Sequence, residues 1–262
     1  MKGFDERYFL GNIDQAVFAA INYGTPELIV PWVQSIKRLD QNAHILLLDN
    51  FSTDDCRSKV KDFCNEMGVE LLVSENVGYG RAINIAISHI RKKYSRAEKA
   101  NRVLYIGNLD IEYKELPKRI PIGNVAYILK ATEKRRDRNP FLTRLQKRFL
   151  FLHAASLKTR SLFIFHSVIL IIKIISLFPS KPWTTHGSVF CFNFDALNDE
   201  DIFNEKSFLY SEELEYGSWL DRSPKTSLIS ISGHYEHQAN VSTSMLISSK
   251  RVFSLSTKTF DI

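Results

Sequence analysis

The sequence predicts an α/β fold built on a mostly parallel sheet with helices on both faces. Three observations point there. Short apolar runs of strand length alternate with segments of helical period through the first half of the 262-residue chain. Cap and turn residues separate them. Polar residues fall at the carboxyl ends of the strand-like runs, the edge at which open α/β sheets bind ligands.

The elements follow in order. Residues 16–22 (AVFAAIN) read as a buried strand. Thr25 and Pro26 suit a helix start, and Ile29, Val33 and Ile36 carry the helical period, with Pro31 awkward inside it. Residues 45–48 form a second strand that ends in Asp49-Asn50. Ser52 or Thr53 caps a helix whose apolar face is Cys56, Val60, Phe63, Cys64 and Met67, and Gly68 closes it. Residues 69–73 are a third strand, 78–90 a helix with Ala82, Ile83, Ala86, Ile87 and Ile90 inward, and 103–106 a fourth strand ending at Asn108-Leu109-Asp110. Further strands are expected at 125–129, 188–194 and 227–232, with His234 and His237 after the last. A helix begins near Ser211 with Glu212, Glu213 and Glu215 in its first turn.

The length and a hydrophobic fraction of 44% suit one domain over 1–262. Within it three successive parts are expected: 16–129, a basic and apolar insertion over 130–182, and 183–245. The net charge of +6 is concentrated in the insertion, where twelve Lys and Arg between Lys130 and Lys181 face only Glu133 and Asp137. Such a segment suggests an anionic partner. Residues 163–178 (FIFHSVILIIKIISLF) are too short to span a bilayer and carry His166 and Lys173. They read either as an interfacial amphipathic segment or as a buried helix. The aromatics nearby, Phe141, Phe149 and Phe151, interleave with aliphatic residues, which favours lipid over nucleic acid. Cys56 and Cys64 are two helical turns apart, too far for a disulfide, and free thiols suit a reducing cytosol. Asp5, Glu6 and Asp14 near the N-terminus argue against a secretory signal.

Four polar blocks close the strands: Asn22-Tyr23, Asp49-Asn50-Phe51-Ser52-Thr53-Asp54, Asn76-Val77-Gly78-Tyr79-Gly80-Arg81, and Asn108-Leu109-Asp110. With His186-Gly187-Ser188-Val189-Phe190, the FLYSEELE stretch at 208–215 and a tail from His237 to Ser242, their order resembles bacterial family 2 glycosyltransferases of the rhamnosyltransferase-like branch that builds O-antigen and related polysaccharides. The resemblance covers most of 16–242. It implies the GT-A fold, a Rossmann-like nucleotide-binding α/β domain.

It also implies roles. Asp49 accepts from a uracil or thymine N–H, with Asn22, Asn50, Asn76 and Asn108 around the donor. Gly78 and Gly80 let backbone approach the ligand, Arg81 faces the diphosphate, and Asn84 braces the pocket. Asp110 corresponds to the last carboxylate of the family's metal motif. It would hold Mg2+ or Mn2+, with His237 completing the site and His234 competing for that role. The family's usual Asn-Pro-Asp is Asn-Leu-Asp here. Glu213 stands where the family usually has Asp as catalytic base, and the register between Glu212 and Glu213 stays open. The activity implied is inverting transfer of a sugar from a UDP- or dTDP-sugar to a lipid-linked glycan. It would take place at the inner face of the bacterial cell membrane, on a peripheral cytoplasmic enzyme. The rival reading is a nucleotide-sugar-binding protein without turnover.

Overall fold

A computed structural model describes residues 10–12, 16–94, 102–133, 136–138, 143–147, 180–197, 201–204 and 212–238, together with 166–168, 170–171, 174 and 178. The strands are β1 (Leu10–Asn12), β2 (Ala16–Tyr23), β3 (His44–Phe51), β4 (Glu70–Val73), β5 (Val103–Asn108), β6 (Ile111–Glu115), β7 (Arg119–Pro121), β8 (Val125–Glu133), β9 (Arg136–Arg138), β10 (Val189–Asn193) and β11 (Ser227–His237). The principal helices are α1 (Ile29–Lys37), α2 (Asp54–Met67), α3 (Tyr79–Lys93) and α4 (Glu212–Arg222).

One nine-stranded sheet runs β4-β3-β2-β5-β10-β8-β11-β6, with β9 beside β8. The expected parallel core is present: β4, β3, β2 and β5 pair in parallel, and β8 pairs in parallel with β11. Strand β10 enters antiparallel between β5 and β8, and β6 returns antiparallel along β11. Helices cover both faces. Trp32, Val33 and Ile36 of α1 and Val60 and Cys64 of α2 pack on one, where Phe18 stacks on Tyr105 at 4.8 Å. Ala82, Ile83, Ala86 and Ile90 of α3 and Tyr216 and Trp219 of α4 pack on the other, against Phe190 and Phe192.

Local chemistry explains the boundaries. Thr53 caps α2 by accepting from the Cys56 N–H at 3.5 Å, and Gly68 closes it at φ 64°, a conformation that suits glycine. Pro31 is accommodated because it lies in the first turn of α1, where backbone N–H groups have no intrahelical partner. Thr25 does not cap with its side chain as expected; its N–H and hydroxyl both donate to Asn22 Oδ1. Two differences shape the site. Strand β6 was not anticipated, and β11 runs on through His237, bending by an irregular register between Ser230 and His234.

Residues 144–147 and 180–183 are held together. Arg144 N–H donates to the Lys181 carbonyl at 2.9 Å, and Leu145 N–H to Ser180 Oγ at 3.1 Å. Lys147 Nζ and Trp183 Nε1 both donate to Asp221 Oδ2, at 2.6 and 2.8 Å, tying the two limbs to α4. Beyond the single helical turn Arg144–Lys147, Leu170, Ile171, Ile174 and Phe178 are exposed and Val168 is buried. Arg135, Phe163, residues 208–211 and residues 239–245 lie outside the described residues. Among the described residues no helix is long and apolar enough to cross a membrane.

Candidate functional site

The carboxyl ends of the parallel strands gather the polar blocks into two connected clusters. The first closes β2 and β3. Asn22 and Asp49 are fully buried, and Asp49 Oδ1 accepts from Asn22 Nδ2 at 2.8 Å and Ser52 Oγ at 2.6 Å. Arg57 Nε stands 3.8 Å from the other carboxylate oxygen. Asn50 Oδ1 accepts from the Val77 N–H at 3.2 Å and from Ser74 Oγ at 3.3 Å, fixing the 74–78 loop on the end of β3. Asn76 is exposed, donates to Tyr23 Oη at 3.2 Å and accepts from the Gly78 N–H at 3.4 Å. Gly78 opens α3 at φ 83°, which a side chain would strain. Gly80 is small for a packing reason: a Cβ there would meet Phe203 Cβ at 2.9 Å. Asn84 holds the Phe203 backbone, donating to its carbonyl at 2.7 Å and accepting from its N–H at 3.2 Å. Arg81 is exposed on the first turn of α3.

The second cluster lies where β5, β6, β10, β11 and α4 meet. Asp110 sits in the two-residue bend between β5 and β6 and is only 3% exposed. His237 Nε2 approaches Asp110 Oδ1 at 3.3 Å, and the Gln238 N–H donates to the Asp110 carbonyl at 2.8 Å. His234 goes elsewhere: its Nε2 meets Thr132 Oγ1 at 2.9 Å. Of the two histidines, His237 is therefore the one at Asp110.

The turn at 186–188 completes the cluster. Gly187 N–H donates to Glu213 Oε1 at 3.0 Å, and its carbonyl accepts from Tyr79 Oη at 3.5 Å. A Cβ on Gly187 would lie 2.6 Å from Glu213 Oε1, so only glycine allows this approach. Gly107 has a similar task, since its Cβ would meet the Ser188 carbonyl at 2.0 Å, and Asn108 N–H donates to that carbonyl at 3.0 Å. His186 Nδ1 lies 2.9 Å from Ser188 Oγ, which contacts Tyr235 Oη at 2.9 Å, and the His186 ring stands at 63° to that of His237. Glu212 is buried, whereas Glu213 is half-buried and bonded to the turn. Burial pushes the Tyr79 hydroxyl well above its ordinary range, and the charges of Glu212, Asp110 and Glu213 push it further. His186, Ser188, Tyr79 and Tyr235 were not singled out individually from the sequence, although the His186-Gly187-Ser188 block was.

Asp110 and His237 offer one oxygen and one nitrogen ligand. A divalent cation that draws its other ligands from a diphosphate and water fits such a pair. Among the described residues no group of three or more His, Cys, Asp or Glu side chains is placed to hold a metal by itself.

Residues 18–110, from the first half of β2 to the Asp110 bend, match the sequence profile described as glycosyl transferase family 2. The match covers about a third of this chain. No curated protein sequence matches it. Among solved structures, that of S. aureus TarS aligns over 86% of this chain and 37% of its own, at 12% identity and a TM-score of 0.51. A structure of S. aureus TarS 1-349 aligns over 86% and 60%, at 14% identity and a TM-score of 0.49. Glucosyl-3-phosphoglycerate synthase from Mycobacterium tuberculosis, in complex with Mn2+, UDP and phosphoglyceric acid, aligns over 95% and 79%, at 12% identity and a TM-score of 0.46. The first of these shows a shared GT-A-type fold. The chain spans little more than a third of that TarS chain.

Proposed function

We propose that this chain is an inverting glycosyltransferase. It moves one sugar from a nucleoside-diphospho-sugar, UDP- or dTDP-linked, to a lipid-linked glycan in surface polysaccharide (O-antigen or capsule) synthesis. The observation that carries the reading is the Asp110–His237 pair beside the 186–188 turn to which Glu213 is bonded, at the strand edge that also holds Asn22, Asp49 and Asn50. Asp49, with Asn22 and Asn50 fixing it and the 74–78 loop, receives the base. Asn76, Gly78, Gly80, Arg81 and Asn108 border the ribose and diphosphate.

Glu213 is the base. Its carboxylate takes the proton of the acceptor hydroxyl as that oxygen attacks the anomeric carbon on the face opposite the leaving group. The new C–O bond forms as the bond from the anomeric carbon to the phosphate oxygen breaks, and its electron pair leaves with the nucleoside diphosphate. Asp110 and His237 would hold Mg2+ or Mn2+, whose positive charge would offset the negative charge of the leaving diphosphate. The hydrogen bond from Gly187 N–H orients the Glu213 carboxylate but leaves lone pairs for the acceptor proton.

The exposed Leu170, Ile171, Ile174 and Phe178, set in a basic segment, suit the surface of an anionic membrane on its cytosolic side. Reversing charge at Arg135, Arg136 and Arg138 should then weaken flotation with anionic liposomes at low salt and prevent transfer to a lipid-linked acceptor, while sparing donor hydrolysis. Wild-type protein that never floats contradicts the membrane role.

The site reading is tested by thermal shift over a panel of nucleotide-sugars, with and without Mn2+, followed by donor hydrolysis. Metal-dependent stabilisation with hydrolysis supports it. Stabilisation without turnover on any acceptor marks a binding protein instead.

A further inference from the structure

Glu213, Gly217 and Asp221 recur at every fourth position of α4 and so form one stripe along the helix. A single segment, residues 183–187, lies against that stripe. Trp183 Nε1 donates to Asp221 Oδ2 at 2.8 Å. The Trp183 indole packs on Gly217, where a Cβ would meet its Cε2 at 2.6 Å. Thr184 Oγ1 donates to the Glu213 carbonyl at 2.6 Å. The Gly187 N–H donates to the Glu213 carboxylate at 3.0 Å. The segment therefore holds Glu213 at both its backbone and its side chain, and holds the same helix face again at Gly217 and Asp221.

These bonds are not needed to build the helix. A carbonyl oxygen has two lone pairs. One pair of the Glu213 carbonyl serves the N–H four residues on, as in any α-helix, and the Thr184 hydroxyl takes the other. What the contacts set is where the helix lies. Trp183 is 3% exposed and Thr184 fully buried, so neither has room to follow a displaced α4. A slide of α4 along the segment would break the Thr184 and Gly187 bonds together, and Trp183, seated on Gly217 and bonded to Asp221, resists that slide. The 186–188 turn adjoins the Asp110–His237 pair through the His186 ring, whose centroid is 5.6 Å from that of His237.

We propose that Trp183 and Thr184 are positioning residues: they register α4 on the 183–187 segment and so hold the Glu213 carboxylate at the 186–188 turn. The proposal rests on the glycosyltransferase reading above, in which that carboxylate takes the acceptor proton. A base must lie within hydrogen-bond reach of the proton it removes, and a displacement of about 1 Å can lower a rate about 100-fold. Both residues act through Glu213 and not on the substrate.

Two measurements test this. Thr184→Val keeps the buried shape, removes the donor and leaves the Glu213 carbonyl its helical partner. It should melt near wild type and lose kcat by about 10- to 100-fold with donor KM unchanged, read as nucleoside diphosphate released from UDP-glucose or dTDP-glucose in Mn2+. Thr184→Ser, which keeps the hydroxyl, should recover most of the loss. Gly217→Ala, whose methyl pushes the helix off the Trp183 indole, should reproduce it. The second measurement needs no turnover. In protein labelled with 15N-glycine, the Gly187 amide is the resonance missing from Gly187→Ala. Glu213→Gln should shift that resonance in the wild-type background and shift it much less in Thr184→Val. Equal shifts in the two backgrounds overturn the proposal. So does a wild-type kcat in folded Thr184→Val, or equal loss in Thr184→Val and Thr184→Ser with a matching fall in melting temperature. A Glu213→Gln variant that consumes donor as wild type does removes Glu213 as the base, and this proposal with it. A wild-type chain that binds no nucleoside diphosphate (UDP, dTDP or GDP) instead removes the glycosyltransferase reading on which both stand.

Discussion

His237 Nε2 lies 3.3 Å from Asp110 Oδ1, joining the end of β11 to the bend between β5 and β6. Asp110→Asn keeps the shape of this contact and removes the charge. The variant should fold, melt within a few degrees of wild type, and lose metal-dependent turnover by about 100-fold or more. Circular dichroism and a donor-hydrolysis assay with titrated Mn2+ check this. Activity near wild type with an unchanged metal requirement removes Asp110 as a ligand.

Glu213→Gln retains an oxygen for the Gly187 N–H but cannot take a proton. Turnover should fall by about 100- to 10,000-fold with nucleotide affinity unchanged. Glu212→Gln, at the buried neighbour, should leave the chemical step far less affected. If Glu212→Gln is the more damaging of the two to kcat, the base is Glu212.

Gly187→Ala tests the same carboxylate without touching it. The added methyl would lie 2.6 Å from Glu213 Oε1 and must push that oxygen away. Expected is a drop in kcat with KM for the donor held, because a misplaced base costs rate rather than binding. A normal kcat would show that the Glu213 position is not critical.

Asp49 is both a ligand candidate and a structural acceptor. Asp49→Ala removes the buried partner of Asn22 and Ser52, so it should cost about 1–3 kcal/mol of stability as well as raising the nucleotide dissociation constant. Urea denaturation and calorimetry separate the two effects. Unchanged nucleotide affinity in a folded variant rules out base recognition by Asp49.

Far from the site, Glu70 collects hydrogen bonds from His44, His89 and Lys93. Burial alone would raise this carboxyl from 4.5, but those three partners outweigh it and hold the group at about 2. A folded-state value below the unfolded one stabilises the protein fully above about pH 4.5, and that contribution fades as pH falls toward 2. Glu70→Gln should therefore lose stability at pH 7 and show a shallower acid slope than wild type in urea titrations at pH 7 and pH 3. Parallel slopes would contradict the assignment.

Much of the first half is legible because local signals agree there. Thr53 and Gly68 bracket α2, and the apolar runs of β2, β3 and β5 have no polar interruption. The strands expected at 125–129, 188–194 and 227–232 are present as β8, β10 and β11, whereas β6 is hidden by its shortness: IEYKE alternates apolar and polar as a half-buried strand does, with Ile111 and Tyr113 buried, over only five residues directly after the Asp110 bend. Strand β11 passes through Gly233 and a register shift, so period-two patterning fails before His237. Asp110 and His237 were recognisable as residue types, but their approach depends on that bend in β11. His186 carried no signal beyond its place next to Gly187, since its contacts with Ser188 and the ring of His237 are made by the fold of the turn.

The most direct test is release of nucleoside diphosphate from UDP- and dTDP-sugars in Mn2+, with and without chelator, by wild type, Asp110→Asn and Glu213→Gln. At least one donor should be consumed by wild type only when metal is present, with both variants folded and inactive. If no nucleotide-sugar is bound or consumed under any metal condition, or if both variants match wild type, the site at Asp110, His237 and Glu213 is not that of a glycosyltransferase.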